Sequence, residues 1–214
     1  MVWAMTPASA PTGRRERRKL ETRDRLLTAA RELIGDTGAA GLRIQDVTER
    51  ADVGFGTFYT YFETKDALVE AVIADAMTRA ATAIGTRALE YDDPAETASI
   101  SYRRFLRYAE DEPQVAAVLV GLEGAEELFE NSLTVFARQT LQRGIDSGRF
   151  DIEDLELCLT SVAAAALAGI RGVLSGRISP DADVAGATMM LRGFGLDHAS
   201  ASEIARRPLP AIAV

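Results

Sequence analysis

Apolar positions recur along this chain at helical spacing, in blocks separated by turn residues. In the first block Leu26, Leu27, Ala30, Leu33 and Ile34 share one face. They predict a helix over residues 20–37, ended near Gly38 and Gly41, where a positive φ suits glycine. Ile44, Val47 and Ala51 form the inward stripe of a short helix over 43–51. Asp46 stands in its first turn, where the helix dipole favours a negative charge. Asp52-Val53-Gly54 reads as a turn, with Gly54 permitting the bend. A third helix is predicted over 55–62, with Phe58 and Phe62 facing inward and Thr57 and Tyr61 on a neighbouring outward face.

Thr64 is placed to cap a fourth helix, with Asp66 in its first turn. Its stripe is long: Leu68, Val69, Val72, Ile73, Ala76, Met77, Ala80 and Ile84. Further helices are predicted over 94–110, announced by Asp93-Pro94, and over 113–122 and 126–147, the last ended by Gly148. Asp151 is expected to cap a helix over 151–175, and Ser179-Pro180-Asp181 opens one over 180–195. No run alternates as a strand would. The pattern therefore predicts an all-α protein of about nine helices. Its expected divisions are a disordered tail over 1–13, rich in Ala, Pro, Ser and Thr, a three-helix head over 14–64, and a larger helical body over 65–214.

Composition narrows the function. The 214 residues are 47% hydrophobic and 26% charged, as in an ordinary soluble chain. No run of about 18 apolar residues occurs, and the Val162 to Ile170 stretch is short and alanine-rich, so no membrane partner is expected. The opening residues lack the pattern of a signal peptide, which points to the cytoplasm. Cys158 is the only cysteine and sits in an apolar helical pattern, so a buried, inert thiol is expected. His198 is the only histidine, in what reads as a C-terminal loop. Neither a zinc site, nor a histidine-based triad, nor a phosphate loop after a strand is in view, and no enzyme or cofactor is expected.

The net charge of −8 is unevenly spread. Residues 1–65 carry 11 Lys and Arg against 9 Asp and Glu, and residues 66–214 carry 13 against 23. The basic excess is concentrated in RRERRK, Arg14 to Lys19. A basic end on an acidic body suits a protein that touches nucleic acid with one end only.

Two short helices joined by a glycine-bearing turn, IQDVTERADVGFGTFYTYF, read as a helix-turn-helix whose second helix enters a major groove about 12 Å wide. Gly56 lets that helix sit close to the duplex, and Thr57 can bond a base edge or phosphate. Tyr59 and Tyr61 bring hydroxyls to phosphate height, and Lys65 can pair with a phosphate beside the free amides of the next helix. The candidate DNA-binding set is Arg14, Arg15, Arg17, Arg18, Lys19, Arg43, Gln45, Gly54, Phe55, Gly56, Thr57, Tyr59, Tyr61 and Lys65. Phosphate contacts position such a protein and base contacts specify the sequence.

Residues 14–73 resemble the N-terminal domain of TetR-type transcriptional regulators. The resemblance is carried by RRERRK, TRDRLLTAARELIGDTG, LRIQDVTERADVGFGTFYTYF and ETKDALVEAVI. The body resembles that family more loosely, at Arg143-Gly144-Ile145 and Ser147-Gly148-Arg149-Phe150. The chain departs from the family habit at Leu42, where Thr or Ser is common, and at Gly54, where Ser is common. It also departs at Phe55, often basic or small, and at Tyr61, often histidine. An aromatic at 55 would read thymine methyls or shape, so the operator sequence is not inherited.

The resemblance implies a homodimer that reads a near-palindromic operator in double-stranded DNA, acting as a repressor released by a small effector. It places the dimer interface on the last two helices, with Leu155, Leu159, Ala166, Ile170, Val173, Met189 and Leu191, adjoined by Val162. The effector would bind in the body among Tyr102, Phe105, Leu106, Val118, Leu122, Phe129, Leu133, Phe136 and Val162, whose character suits a hydrophobic ligand. Glu123 and Arg103 are candidate polar anchors. The alternative is a helical interaction or scaffold module whose helix-turn-helix no longer touches DNA.

Overall fold

The computed structural model describes residues 13–88, 90–121 and 125–211, with the backbone alone for 125–134 and 180. The tail expected over 1–13 lies almost wholly outside the described residues. Among these there are ten α-helices and no strand: α1 (Arg14–Gly41), α2 (Ile44–Arg50), α3 (Phe55–Phe58), α4 (Lys65–Ala88), α5 (Pro94–Asp111), α6 (Pro113–Gly121), α7 (Ala125–Asp146), α8 (Leu155–Leu174), α9 (Asp183–Gly193) and α10 (His198–Ala205). A 3-10 turn, Pro180–Ala182, precedes α9. The tenth helix was not expected. Its buried residues are Ala201, Ser202, Ile204 and Ala205, too small a stripe to stand out, although Asp197 caps it by accepting from Ser200 N at 3.0 Å. His198 therefore opens a helix and is exposed, rather than lying in a loop.

The chain divides into two compact units between Val72 and Ile73, inside α4. In the first unit α1 packs on α2 and α2 on α3. Leu26, Leu27, Ala30, Ile34, Val47, Phe58 and Leu68 are buried almost completely. The basic run is helical from Arg14, and Gly38, at φ 72° and ψ 165°, breaks α1 before one last turn to Gly41. Thr64 accepts from Ala67 N at 3.0 Å and so caps α4 as the sequence predicts. The whole predicted stripe of α4 is buried.

In the second unit α5 is the central helix, packed against α6, α7, α8, α9 and α10. Asp93 caps it through Ala95 N at 2.9 Å. Gly186 of α9 lies against the Tyr102 ring: a β-carbon there would stand 2.7 Å from Tyr102 Cε1. Only a residue without one permits this approach of α9 to α5. Asp154, not Asp151, caps α8 by accepting from Leu157 N at 3.0 Å. Asp151 is used differently, its N–H donating to Phe194 O at 2.9 Å. α8 is long and apolar enough to cross a membrane by length and composition, with mean hydropathy 1.8, which the residue-by-residue reading did not register. Here it packs on α5, α6 and α7.

A buried ionic cluster ties α5 to α9. Asp183 Oδ2 accepts from Arg103 Nε at 3.0 Å and from Arg107 Nε at 2.9 Å. Arg103 Nη1 also donates to Arg207 O at 2.8 Å. Arg207 in turn pairs with Glu96 at 2.6 Å, so the segment after α10 is held to α5.

Candidate nucleic-acid interface and internal cavity

The turn between α2 and α3 is built differently from its sequence reading. Asp52, not Gly54, takes the left-handed conformation, at φ 52°. Asp is among the residues that tolerate it. Val53 N donates to Thr48 O at 3.0 Å, and Arg25 Nη1 donates to Asp52 O at 3.4 Å. Gly54 is extended, at φ −67° and ψ 145°, and caps α3 without a side-chain bond.

α3 is a single turn ending at Phe58, shorter than the predicted 55–62. Beyond it Thr60 N bonds Thr57 O and Tyr61 N bonds Phe58 O, three residues back, before Phe62 N returns to Phe58 O. This tightening keeps Phe58 and Phe62 both buried, with ring centroids 5.8 Å apart. Arg23 lies 5.6 Å from the Phe62 centroid, a cation–π contact not read from the sequence.

The outward surface of this segment is aromatic. Phe55 and Tyr59 are 53% and 51% exposed, and their rings meet edge to face at 5.7 Å. Gly54 and Gly56 are exposed beside them, and a β-carbon on Gly56 would meet nothing within 4 Å. Thr57, Tyr61 and Lys65 are half-buried. Arg14, Arg15, Arg17, Arg18 and Lys19 are all exposed at the start of α1. Arg43 is paired with Asp46 at 2.8 Å, and Gln45 donates to Glu49 at 2.8 Å. Such exposed pairs contribute about 1 kcal/mol or less, so a phosphate can displace them. Lys65→Ala should weaken binding to every duplex about equally and flatten the salt dependence by about one unit. Titration of operator and unrelated duplexes across salt concentrations checks this, and an unchanged slope would remove Lys65 from the interface.

Within the second unit, α4, α5, α7, α8 and α9 enclose a cavity of about 630 Å³ of empty space, part of it open to solvent. Tyr102, Phe105, Phe136 and Val162 line it, as do Ile84, Gly85, Ser101, Thr140, Met190 and Phe194, none of which the sequence marks as a cavity residue. Three of these six, Gly85, Ser101 and Thr140, are small or polar and carry no apolar signal. Leu106 is buried against Gly169 instead, and Val118 packs on the core. Leu122 and the side chains of Phe129 and Leu133 lie outside the described residues, as does Glu123. Arg103 is neither at the cavity nor in solvent, because Asp183 holds it buried.

The residues expected at a dimer interface separate. Leu159, Ala166, Ile170 and Leu191 are buried within the chain and cannot face a partner. Leu155, Val162 and Val173 are half-buried, and Met189 is 65% exposed. Leu157, also 65% exposed, was missed, because Leu155 and Leu159, two residues to either side, drew the apolar stripe. Cys158 is half-buried, and burial pushes its thiol above the ordinary value, which suits an inert group. No cluster of metal-ligating side chains occurs among the described residues.

A helix-turn-helix head with an exposed reading face, followed by a helical body around an apolar cavity, defines a ligand-responsive class of DNA-binding regulator. The bacterial regulatory proteins of the tetR family match residues 26–72, and the tetracyclin repressor-like C-terminal domain matches residues 93–207, so the chain belongs to the TetR family. Family membership makes it a regulator and not an enzyme. The crystal structure of RolR in complex with the ligand resorcinol is 36% identical, covering 92% of this chain and 99% of that one, with a TM-score of 0.80. FadR from Bacillus subtilis, in complex with stearoyl-CoA, shares the fold at 15% identity and a TM-score of 0.63, covering 79% of this chain and 98% of its own. The HTH-type transcriptional regulator YvdT of Bacillus subtilis is 36% identical over 55 residues, 26% of this chain and 28% of that protein. An HTH-type regulator of Mycobacterium tuberculosis is 29% identical over 94 residues, 44% of this chain and 46% of its own. The chain thus matches less than half the length of these curated relatives.

Proposed function

We propose that this protein is a cytoplasmic homodimeric repressor that binds a near-palindromic operator and is released by a small, largely apolar effector. The observation that carries the reading is the composition of α4. Leu68, Val69 and Val72 belong to the head unit, while Ala81, Ile84 and Gly85 of the same helix line the cavity. An occupant that shifts α4 acts on the element that carries the head. To clear the operator it must favour the released state by a few kcal/mol.

The space open to the centre of a water molecule in the cavity is about 70 Å³, which suits an occupant on the order of one ring. That RolR is seen with resorcinol supports this size class. Self-association is supported by the exposed row Leu157, Ser161, Ala164 and Ala168 on α8 and by Met189 on α9. These small side chains allow close helix approach, and pairing with the same surfaces of a second copy makes a four-helix interface. Two heads would then reach major grooves about 34–36 Å apart.

Selection of binding sites from a random duplex library tests the reading. A near-palindromic consensus is expected, with the complex dissociating when resorcinol is added. No enrichment at low salt with folded protein would reject it in favour of an interaction module.

A further inference from the structure

We propose that Phe55 determines the sequence specificity of this protein by reading the 5-methyl group of thymine in each half of the operator. This rests on the segment from Gly54 to Tyr61 entering the major groove. That segment is GFGTFYTY, with neither a charge nor a side-chain amide. It therefore lacks the groups that single out a base by paired hydrogen bonds: arginine or lysine for guanine, asparagine or glutamine for adenine, a carboxylate for cytosine. Its hydroxyls, on Thr57, Tyr59, Thr60 and Tyr61, both donate and accept, so they suit a phosphate or several bases alike. Arg43 and Gln45 stand at the start of the other helix of the motif, where they pair with Asp46 and Glu49. Among the base edges in the groove, the thymine methyl is the feature that takes an apolar partner.

Phe55 supplies that partner and is held ready for it. Its ring is 53% exposed, so the core of the head does not use it. Gly54 and Gly56 on either side offer no side chain to shield it, and the space beside Gly56 is open. The ring is nonetheless fixed by a row of aromatic contacts that runs out of the core. Phe62 meets Phe58 at 5.8 Å, Phe58 meets Tyr59 edge to face at 5.2 Å, and Tyr59 meets Phe55 edge to face at 5.7 Å. The inner two, Phe58 and Phe62, are buried. A ring so placed loses little freedom on binding.

Covering the ring with a methyl group removes apolar surface of both partners from water. Cytosine presents an amino group in the same groove, which the ring would strip of water without a bond in return. The contact thus favours thymine and rejects cytosine.

The test uses the full chain and the operator recovered by site selection. Each thymine is replaced in turn by deoxyuridine, which removes the methyl group and leaves base pairing and every hydrogen-bonding group in place. One such replacement in a half-site should weaken wild type about fourfold, and the symmetric pair about fifteenfold, from the apolar surface lost. Phe55→Ala should bind the thymine and uracil operators alike, at low salt where phosphate contacts keep the complex measurable, with its salt dependence unchanged. Lys65→Ala should keep the full discrimination. Thermal unfolding confirms that each variant is folded. Equal wild-type affinity for thymine and uracil at every position, or full discrimination kept by Phe55→Ala, overturns the assignment while leaving the protein a sequence-specific DNA binder. A library with no enriched duplex overturns the placement of the segment in the groove, and the assignment with it.

Discussion

Replacing Asp183 by alanine should destabilise the helical body by about 3–5 kcal/mol, because it strands a buried arginine. Asp183 is 1% exposed and its Oδ2 holds both Arg103 and Arg107. Arg107 is 36% exposed and can turn to water, but Arg103 at 7% cannot. The acid also stands in the first turn of α9, where the helix dipole favours it. Burial by itself would raise the Asp183 pKa. The hydrogen bonds and charges of Arg107 and Arg103 outweigh it and hold the carboxyl below its ordinary 3.8. A depressed folded pKa adds stability above the unfolded value and loses it as pH falls through the folded one. Urea unfolding of wild type and Asp183→Ala should therefore differ most near neutral pH and converge in strong acid. Arg103→Met combined with Asp183→Leu, which removes the charge with its partner, should cost much less than the single change. Equal midpoints for Asp183→Ala and wild type near pH 7 would show that the cluster adds nothing.

Phe58→Ala should abolish operator binding, by a factor of 100 or more, while the body still folds and binds its effector. Phe58 is fully buried and meets Phe62 and Tyr59 at 5.8 and 5.2 Å. Truncating such a side chain costs about 3–5 kcal/mol. A unit of this size has little stability to lose. α3 is also one turn long and cannot hold its shape without tertiary support. Calorimetry should show the body's transition persisting while mobility-shift titration shows no complex. Operator affinity within a few fold of wild type would mean that the reading surface does not depend on this core.

Much of the fold is legible in the sequence where an element is long or its punctuation strong. The eight-residue stripe of α4, the Asp93-Pro94 start of α5 and the Thr64 cap each carry a local signal that survives packing. Weaker elements escaped. α10 buries two alanines, a serine and a single isoleucine, and α8 offers two acidic caps, Asp151 and Asp154, between which the bond from Leu157 N to the Asp154 carboxylate decides. The candidate sites divide in the same way. The reading segment from Phe55 to Tyr61 shows as a motif. The cavity shows only through its large residues, because Gly85, Ser101 and Thr140 look like surface or spacer positions until the helices are assembled.

The sequence by itself determined that this is an all-helical TetR-type chain, with a basic head before an acidic body and apolar stripes on most of its helices. Those properties are local: composition, charge and period are set by neighbours within a few residues. The tertiary structure alone decided that Leu159, Ile170 and Leu191 serve the chain's own core while Leu157 and Met189 stay outside. It alone placed Arg103 on Asp183, 80 residues away, and brought the Tyr102 ring to the wall of a cavity. Periodicity marks which face of a helix is apolar. It cannot say whether a neighbouring helix, a ligand or a second copy covers that face, since all three remove it from water with the same hydrophobic gain.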